Sequence, residues 1–338
     1  MINFRFHLVS LVAVFLALTV GIVVGATIVN HAIVTGLNDR IDRVEKNANA
    51  QRSQNRALST TARQLESYLE TAAPYVVEGR LTAVPVVVVA ERGLDKATVR
   101  DLVTLLQDSG AHTPAIVWLE SKWKLDKPAD RAQLARIMGL APAGTSLRAA
   151  AVAALAHRLG TPVSPVSGGS LPGGSNVTTT TVSATATTTT ATKPAQLLDA
   201  LATAGFVSIE PVGASGTNDL STFPSAGVRS VVLGGNASDL VAAPVAGALA
   251  AAMADLTVPT IAGEVYHVAD GAAARGATLA VIRTDGQLAK VVSTVDDVDL
   301  VQGRVSVVLA TADAGESKVG HYGYGKGADR ALPSWAGP

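Results

Sequence analysis

From Leu8 to Val29 the chain runs 22 residues without a charged side chain, and that run limits what the rest can be. A helix rising ~1.5 Å per residue is then long enough to cross a hydrocarbon core of ~30 Å. The direct reading is one membrane-spanning helix over residues 8–29, with residues 1–7 as a short cytoplasmic N-terminus. A cleavable signal is the other reading. Arg5 supplies a basic start, and Val24-Gly25-Ala26 is a small-residue cleavage site that would leave a chain beginning at Thr27. The apolar run exceeds the ~7–15 residues of an ordinary signal core, which favours the anchor.

Charge flanks give orientation less directly. Arg5 precedes the run, whereas Arg40, Arg43 and Lys46 follow it, so the count of flanking cations does not decide the matter. Long translocated domains largely escape that bias. The bulk of the chain is therefore placed outside the cytoplasm, as a single-pass cell-membrane protein.

Beyond the span, Leu37, Ile41, Val44, Ala48, Gln51, Asn55, Leu58, Ala62, Leu65 and Leu69 follow one another at alternating steps of four and three. That is the period of a coiled-coil seam, and charged neighbours such as Asp39, Arg43, Glu45 and Arg63 supply its solvated flanks. Asn55 falls at an a-type position, where a buried amide fixes register and pairing. The predicted coiled coil spans residues 30–73 and ends at Pro74. Its partner is a second copy in parallel or the helix of a membrane protein, while an amphipathic helix lying on its own domain is the competing reading.

Residues 74–315 alternate Val-rich runs with helical stretches, the pattern of a doubly wound, mostly parallel α/β (Rossmann-like) sheet covered on both faces. Predicted strands are Val84 to Ala90, Thr113 to Glu120, Phe206 to Pro211, Arg229 to Gly235, Thr260 to Val265 and Arg304 to Ala310. Predicted helices open at Asp95 and close at Gly110, or cover Ser146 to Gly160 and Ala246 to Leu256. A Thr/Ser/Gly-rich insertion at 161–193 offers nothing to bury and reads as disordered. Residues 316–338 form a Gly-rich C-terminal tail.

Composition excludes several chemistries. Lys and Arg number 27, as do Asp and Glu, so no excess charge draws the chain to nucleic acid. There is no Cys, which removes disulfides, thiolate metal sites and Cys nucleophiles together. The turn after the first strand, "ERGLD", lacks the G-x-G-x-x-G of a dinucleotide site. "LGGNASD" suits a small-anion cradle or an ordinary turn. "GHYGYGKG" (Gly320 to Gly327) resembles a phosphate loop but has Gly327 where Ser or Thr should stand, and no helix follows it. Asp296, Asp297 and Asp299 in "TVDDVD" read as a hard-cation cluster or as turn and capping residues.

The six histidines show no H-x-x-x-H or H-E-x-x-H spacing, and there is no G-x-S-x-G elbow. The chain is thus expected not to be an enzyme, with no cofactor identified.

Three stretches together resemble the mycobacterial copper transport protein B family of actinobacteria: "MINFRFHLVSLVAVFLALTVGIVVG", "LAVIRTDGQLAKVVSTVDDVDLVQGRVSVVLA" (Leu279 to Ala310) and "GHYGYGKGADRALPSW". The resemblance implies a membrane-anchored cell-envelope protein in copper homeostasis, described as efflux or maintenance of low internal copper. It also implies copper as a ligand, for which His267 and His321, brought together by folding, are the candidate residues. Some relatives are linked instead to cell-envelope assembly and division. That alternative makes the chain a coiled-coil adaptor that regulates peptidoglycan hydrolysis with a membrane partner.

Overall fold

The structure is a computed structural model describing residues 4–141, 144–162, 196–213, 216–221, 223–269 and 272–334; the side chains of 27–36, 38–39 and 144–145 lie outside the description. The predicted insertion at 161–193 falls, from residue 163 on, outside the described residues. The chain divides into two units, Met1–Ser67 and Tyr68–Pro338.

The first unit is carried by helix α1 (Phe4–Val77), whose last turns belong to the second. Within it, Phe4–Ala26 is long and apolar enough to cross a membrane, and none of it is buried. Phe4, Phe6, Leu11, Phe15 and Leu16 are 60–77% exposed, which a core helix is not. Thr19 returns its hydroxyl to the Phe15 carbonyl, so that polar side chain is satisfied within the helix. The seam residues Leu37, Ile41, Val44, Leu58 and Leu65 are likewise 52–68% exposed in the single chain. Gln51, Asn55 and Ala62 are exposed beside them, and Ala48 is half-buried.

Pro74 does not end the helix. It sits inside α1, which continues to Val77. A proline lacks only its own N–H and displaces one carbonyl behind it, a loss the final turn tolerates more readily than the middle of a helix. Ala73, Val77 and Leu81 are buried here, and their packing holds that turn.

The second unit is built on β1 (Val86–Glu91), β2 (Ala115–Leu119), β3 (Val207–Pro211), β4 (Arg229–Gly234), β5 (Thr260–Glu264), β6 (Val292–Val295) and β7 (His321–Tyr322). They form one sheet in the order β3-β2-β1-β4-β5-β6-β7. Every pairing is parallel except β2 with β3. In register, Val88 faces Ile116 on one side and Val231 on the other, and Val231 faces Ile261.

Alternate residues of each strand enter two separate cores, which is why the strand sequences are apolar throughout rather than alternating. Val87, Val89, Val117, Leu119 and Val232 pack under α3 (Pro128–Met138), α4 (Gly144–Gly160), α5 (Leu197–Thr203), α6 (Val245–Asp255) and α7 (Ala280–Arg283). Val86, Val88, Ile116, Trp118 and Val231 pack under α2 (Lys96–Asp108) and α8 (Val301–Ala314). Asp95 caps α2 by accepting from the Thr98 amide at 2.9 Å, as its position before the helix requires.

One expected strand is a helix. Arg304 to Ala310 lies inside α8, and the strand that completes the sheet there is the preceding Val292–Val295. Helix α8 is buried on nearly every side, including Gly303, Val305, Ser306, Val307, Val308 and Ala310. A run of β-branched residues buried all round has no polar face to betray its period, so tertiary burial overrides strand propensity. The stretch expected as a tail from 316 contains β7, which joins the sheet beside β6.

Leu102 on α2 is fully buried in the second of these cores. Its replacement in Leu102→Ala should cost about 2–5 kcal/mol through lost burial and the cavity left behind. Leu140→Ala, at a side chain 46% exposed, should cost under about 0.5 kcal/mol. Urea unfolding of the two variants reads the difference, and equal midpoints would contradict the placement of α2.

Candidate functional site

In open α/β sheets, ligands gather outside the carboxyl ends of the strands. Here that edge is lined by acids placed where strands end. Glu91 closes β1, Glu264 closes β5, and Asp296 and Asp297 follow β6; all four are buried, at 3% exposure or less.

Each of three accepts hydrogen bonds from backbone amides that would otherwise be free. Glu91 Oε1 takes the first amides of α6, Val245 N at 3.1 Å and Ala246 N at 2.8 Å. Glu264 takes the amides of Gly276 and Thr278 and the Thr278 hydroxyl. Asp296 Oδ1 takes Tyr324 N at 2.8 Å and Gly325 N at 3.0 Å. Amides at helix starts and in glycine turns make seats for anions. The protein fills these seats with its own carboxylates.

The stretch "GHYGYGKG" is one such seat. It begins as β7 and then wraps over Asp296, so its amides cradle a protein carboxylate rather than a phosphate. Gly323 has φ +117°, and a Cβ there would meet the Asp296 carboxylate. Arg283 closes the other side of Asp296 at 2.8 Å, with 3% and 0% of the two side chains exposed. The same guanidinium reaches Thr294 Oγ1, the Tyr322 carbonyl and the Lys326 carbonyl.

Asp299 pairs with Arg275 through two bonds of 2.5 and 2.8 Å, and the Arg275 guanidinium lies 4.5 Å over the Tyr266 ring. Asp297 stands apart. Neither of its carboxylate oxygens has a hydrogen-bond partner among the described residues. The close approach of Gly303, where any Cβ would strike the Asp297 carbonyl, packs it against the start of α8.

Burial dominates the acid–base chemistry of this edge. It raises Glu91 and Glu264 above the ordinary carboxylate range, with the charge of Asp296 adding to the rise at Glu264. It pushes Asp297 up to about 7, helped by Asp296 and Asp299 and opposed by Arg275. Two cavities open here. One, of about 320 Å³, lies over β4 and β5 beside α6 and is mostly apolar. The other, of about 570 Å³, is lined by Asp95, Tyr266, His267 and Asp299 among others.

His267 is exposed after β5, where its main chain exchanges two 2.7 Å bonds with the Asn236 side chain. The turn "LGGNASD" is therefore tied to the neighbouring loop. His321 lies on β7, with its Nδ1 2.9 Å from Thr294 Oγ1, and burial lowers its pKa. The two histidines have separate partners. Among the described residues no three His, Asp or Glu side chains are grouped to hold a metal ion. Asp296 and Asp299 are ion-pair residues, and Leu300 stands before α8 without a side-chain cap, so neither is the helix-capping residue that one reading expected.

Glu91, Glu264, Arg275 and Arg283 were not legible as site residues. A usable signal was present in "VVVVAE" and "TIAGE", where a buried run ends on an acid.

A family model described as "Copper transport outer membrane protein, MctB" matches residues 1–333. The chain belongs to the MctB family. Curated relatives named "Copper transporter MctB", from Mycobacterium bovis and Mycobacterium tuberculosis, are each 26% identical over 339 residues, covering 97% of this chain and 98% of the relative. Two MctB-like stretches quoted from the sequence, Leu279 to Ala310 and Gly320 onward, meet in space through Arg283, Asp296 and the Tyr324 amide. The sheet of this chain is open, mostly parallel and helix-covered, which is not the closed antiparallel barrel that crosses outer membranes.

Between pH ~4 and ~7, the folded state holds a proton on Asp297 that the unfolded chain has lost. Stability therefore falls as pH rises through that window and levels above it. The stability of wild type minus that of Asp297→Asn should drop by a few kcal/mol from pH ~4 to ~7. This difference cancels the other titrating groups, and a flat one would contradict the buried, unpartnered carboxyl.

Proposed function

We propose that this chain is a membrane-anchored cell-envelope protein of copper homeostasis that keeps internal copper low without itself forming the path of the ion. The observation that carries this reading is the family match along 1–333. The words "copper transport" describe the family, and "copper transporter" its curated relatives.

The anchor is the apolar helix. A side-chain set exposed throughout Phe4–Ala26 is stable in lipid and costly in water. The coil and the α/β unit then stand outside the cytoplasm on a single pass. The exposed seam from Leu37 to Leu65 supports a parallel homodimer, since two such stripes bury each other in a coiled coil. The strand order, reversing beside β1, supports a doubly wound, Rossmann-like scaffold on which the carboxyl edge is the working surface.

The donor set argues for an indirect part in copper handling. Soft Cu(I) prefers thiolates and thioethers. The chain has no Cys, Met253 is buried in the core, and Met138 packs against it. Leu8 to Val29 contains no ionisable group to mark an ion path.

Cells lacking this gene, grown at subinhibitory copper, should hold more copper by elemental analysis than complemented cells. Complementation should succeed with His267→Ala/His321→Ala and fail with a chain lacking residues 4–26. Unchanged copper in the deletion strain would overturn the homeostasis role. Failure of the double His variant, with the protein present at the membrane, would overturn the indirect part.

A further inference from the structure

The apolar cavity beside α6 is not explained by copper handling, and its walls specify a ligand of their own. Val232, Ala262, Leu279 and Ile282 form its buried lining, while Val241 and Val281 stand 55% and 58% exposed at its mouth. Its volume of about 320 Å³ lies at the small end of ligand pockets, ~300–1,000 Å³.

Three side chains on its wall can hydrogen-bond, and each is already engaged. Glu91 holds the α6 amides and Ser238, Asn236 holds the main chain of His267, and the Thr278 hydroxyl donates to Glu264 at 2.7 Å. A polar ligand would have to break these bonds to gain its own. Charge adds a second restriction. The start of α6, which would attract a phosphate or carboxylate, is capped by Glu91, so the inner wall presents an acid where an anion would sit. Among the described residues the lining also contains no aromatic ring on which a base or flavin could stack.

What remains is a narrow aliphatic slot kept open by glycine and alanine, residues with no side chain long enough to close it. We propose that this cavity binds the saturated hydrocarbon chain of a medium-length amphiphile, tail inward, with the polar end at the mouth beside Val241 and Val281. Affinity comes from methylenes leaving water. The site is independent of the copper role and stands or falls without it.

The test uses the full chain in lipid nanodiscs and a decanol analogue carrying a photoreactive diazirine, with labelled peptides mapped by mass spectrometry. Labelling should concentrate on peptides containing Val241 and Val281, and dodecanol should compete while adenosine monophosphate should not. Ala277→Trp, at an exposed lining position, should cut that labelling about tenfold or more by excluding several methylenes. Ala274→Trp, exposed but outside the lining, should leave it unchanged. Val281→Asp at the mouth gives a second reduction that does not depend on Ala277→Trp folding.

Membrane partition of the probe is the same for all variants. Labelling confined to the Phe4–Ala26 helix, labelling unaffected by both lining variants, or competition by adenosine monophosphate would each overturn the proposal.

Discussion

The buried pair between Arg283 and Asp296 ties the carboxyl edge of this protein together. Neither side chain has more than 3% of its surface exposed, and an ion pair taken out of water is tolerated only when its remaining hydrogen bonds are made. Here they are made mostly by the chain that comes after it. Tyr324 and Gly325 supply amides to the carboxylate, while Thr294 and the carbonyls of Tyr322 and Lys326 receive the guanidinium. The last strand, the glycine loop and α7 are thereby fixed to β6. Glu91 and Glu264 repeat the device at β1 and β5.

This arrangement changes what the fold offers a ligand. Doubly wound sheets that bind nucleotides leave the amides of their first turns open to phosphate. In this chain the corresponding amides face carboxylates belonging to the protein, and Asp95 caps α2 in the same way. The edge is thus closed to anions and leaves one acidic cleft and one apolar slot. Such an edge is ill suited to nucleotides.

Much of the architecture was legible because burial leaves a plain mark on sequence. The uncharged run from Leu8, the Val-rich strands and the helix begun by Asp95 were each readable from period and composition. Arg304 to Ala310 was not, since a helix buried on all sides shows neither a polar face nor a polar alternation. β6 was missed for a related reason: four residues, two of them Ser and Thr, make too short a run to stand out. The site was less legible still. "GHYGYGKG" matched a phosphate loop only in part, with Gly327 in place of Ser or Thr and no helix after it, and nothing in that stretch pointed to an anion within the protein. That the anion is Asp296, some thirty residues earlier, depends on parallel pairing of β6 with β7, which no local pattern encodes.

The claim on which this account rests is that the chain's own carboxylates occupy the amides of the carboxyl edge. Hydrogen–deuterium exchange of the full chain reads it directly at Tyr324 and Gly325, which lie in a glycine-rich loop with no strand of their own. The expected result is exchange as slow as that of the β5 amides, because both donors are locked onto buried Asp296. Exchange at the rate of an open loop would contradict the account and leave those amides free for a ligand.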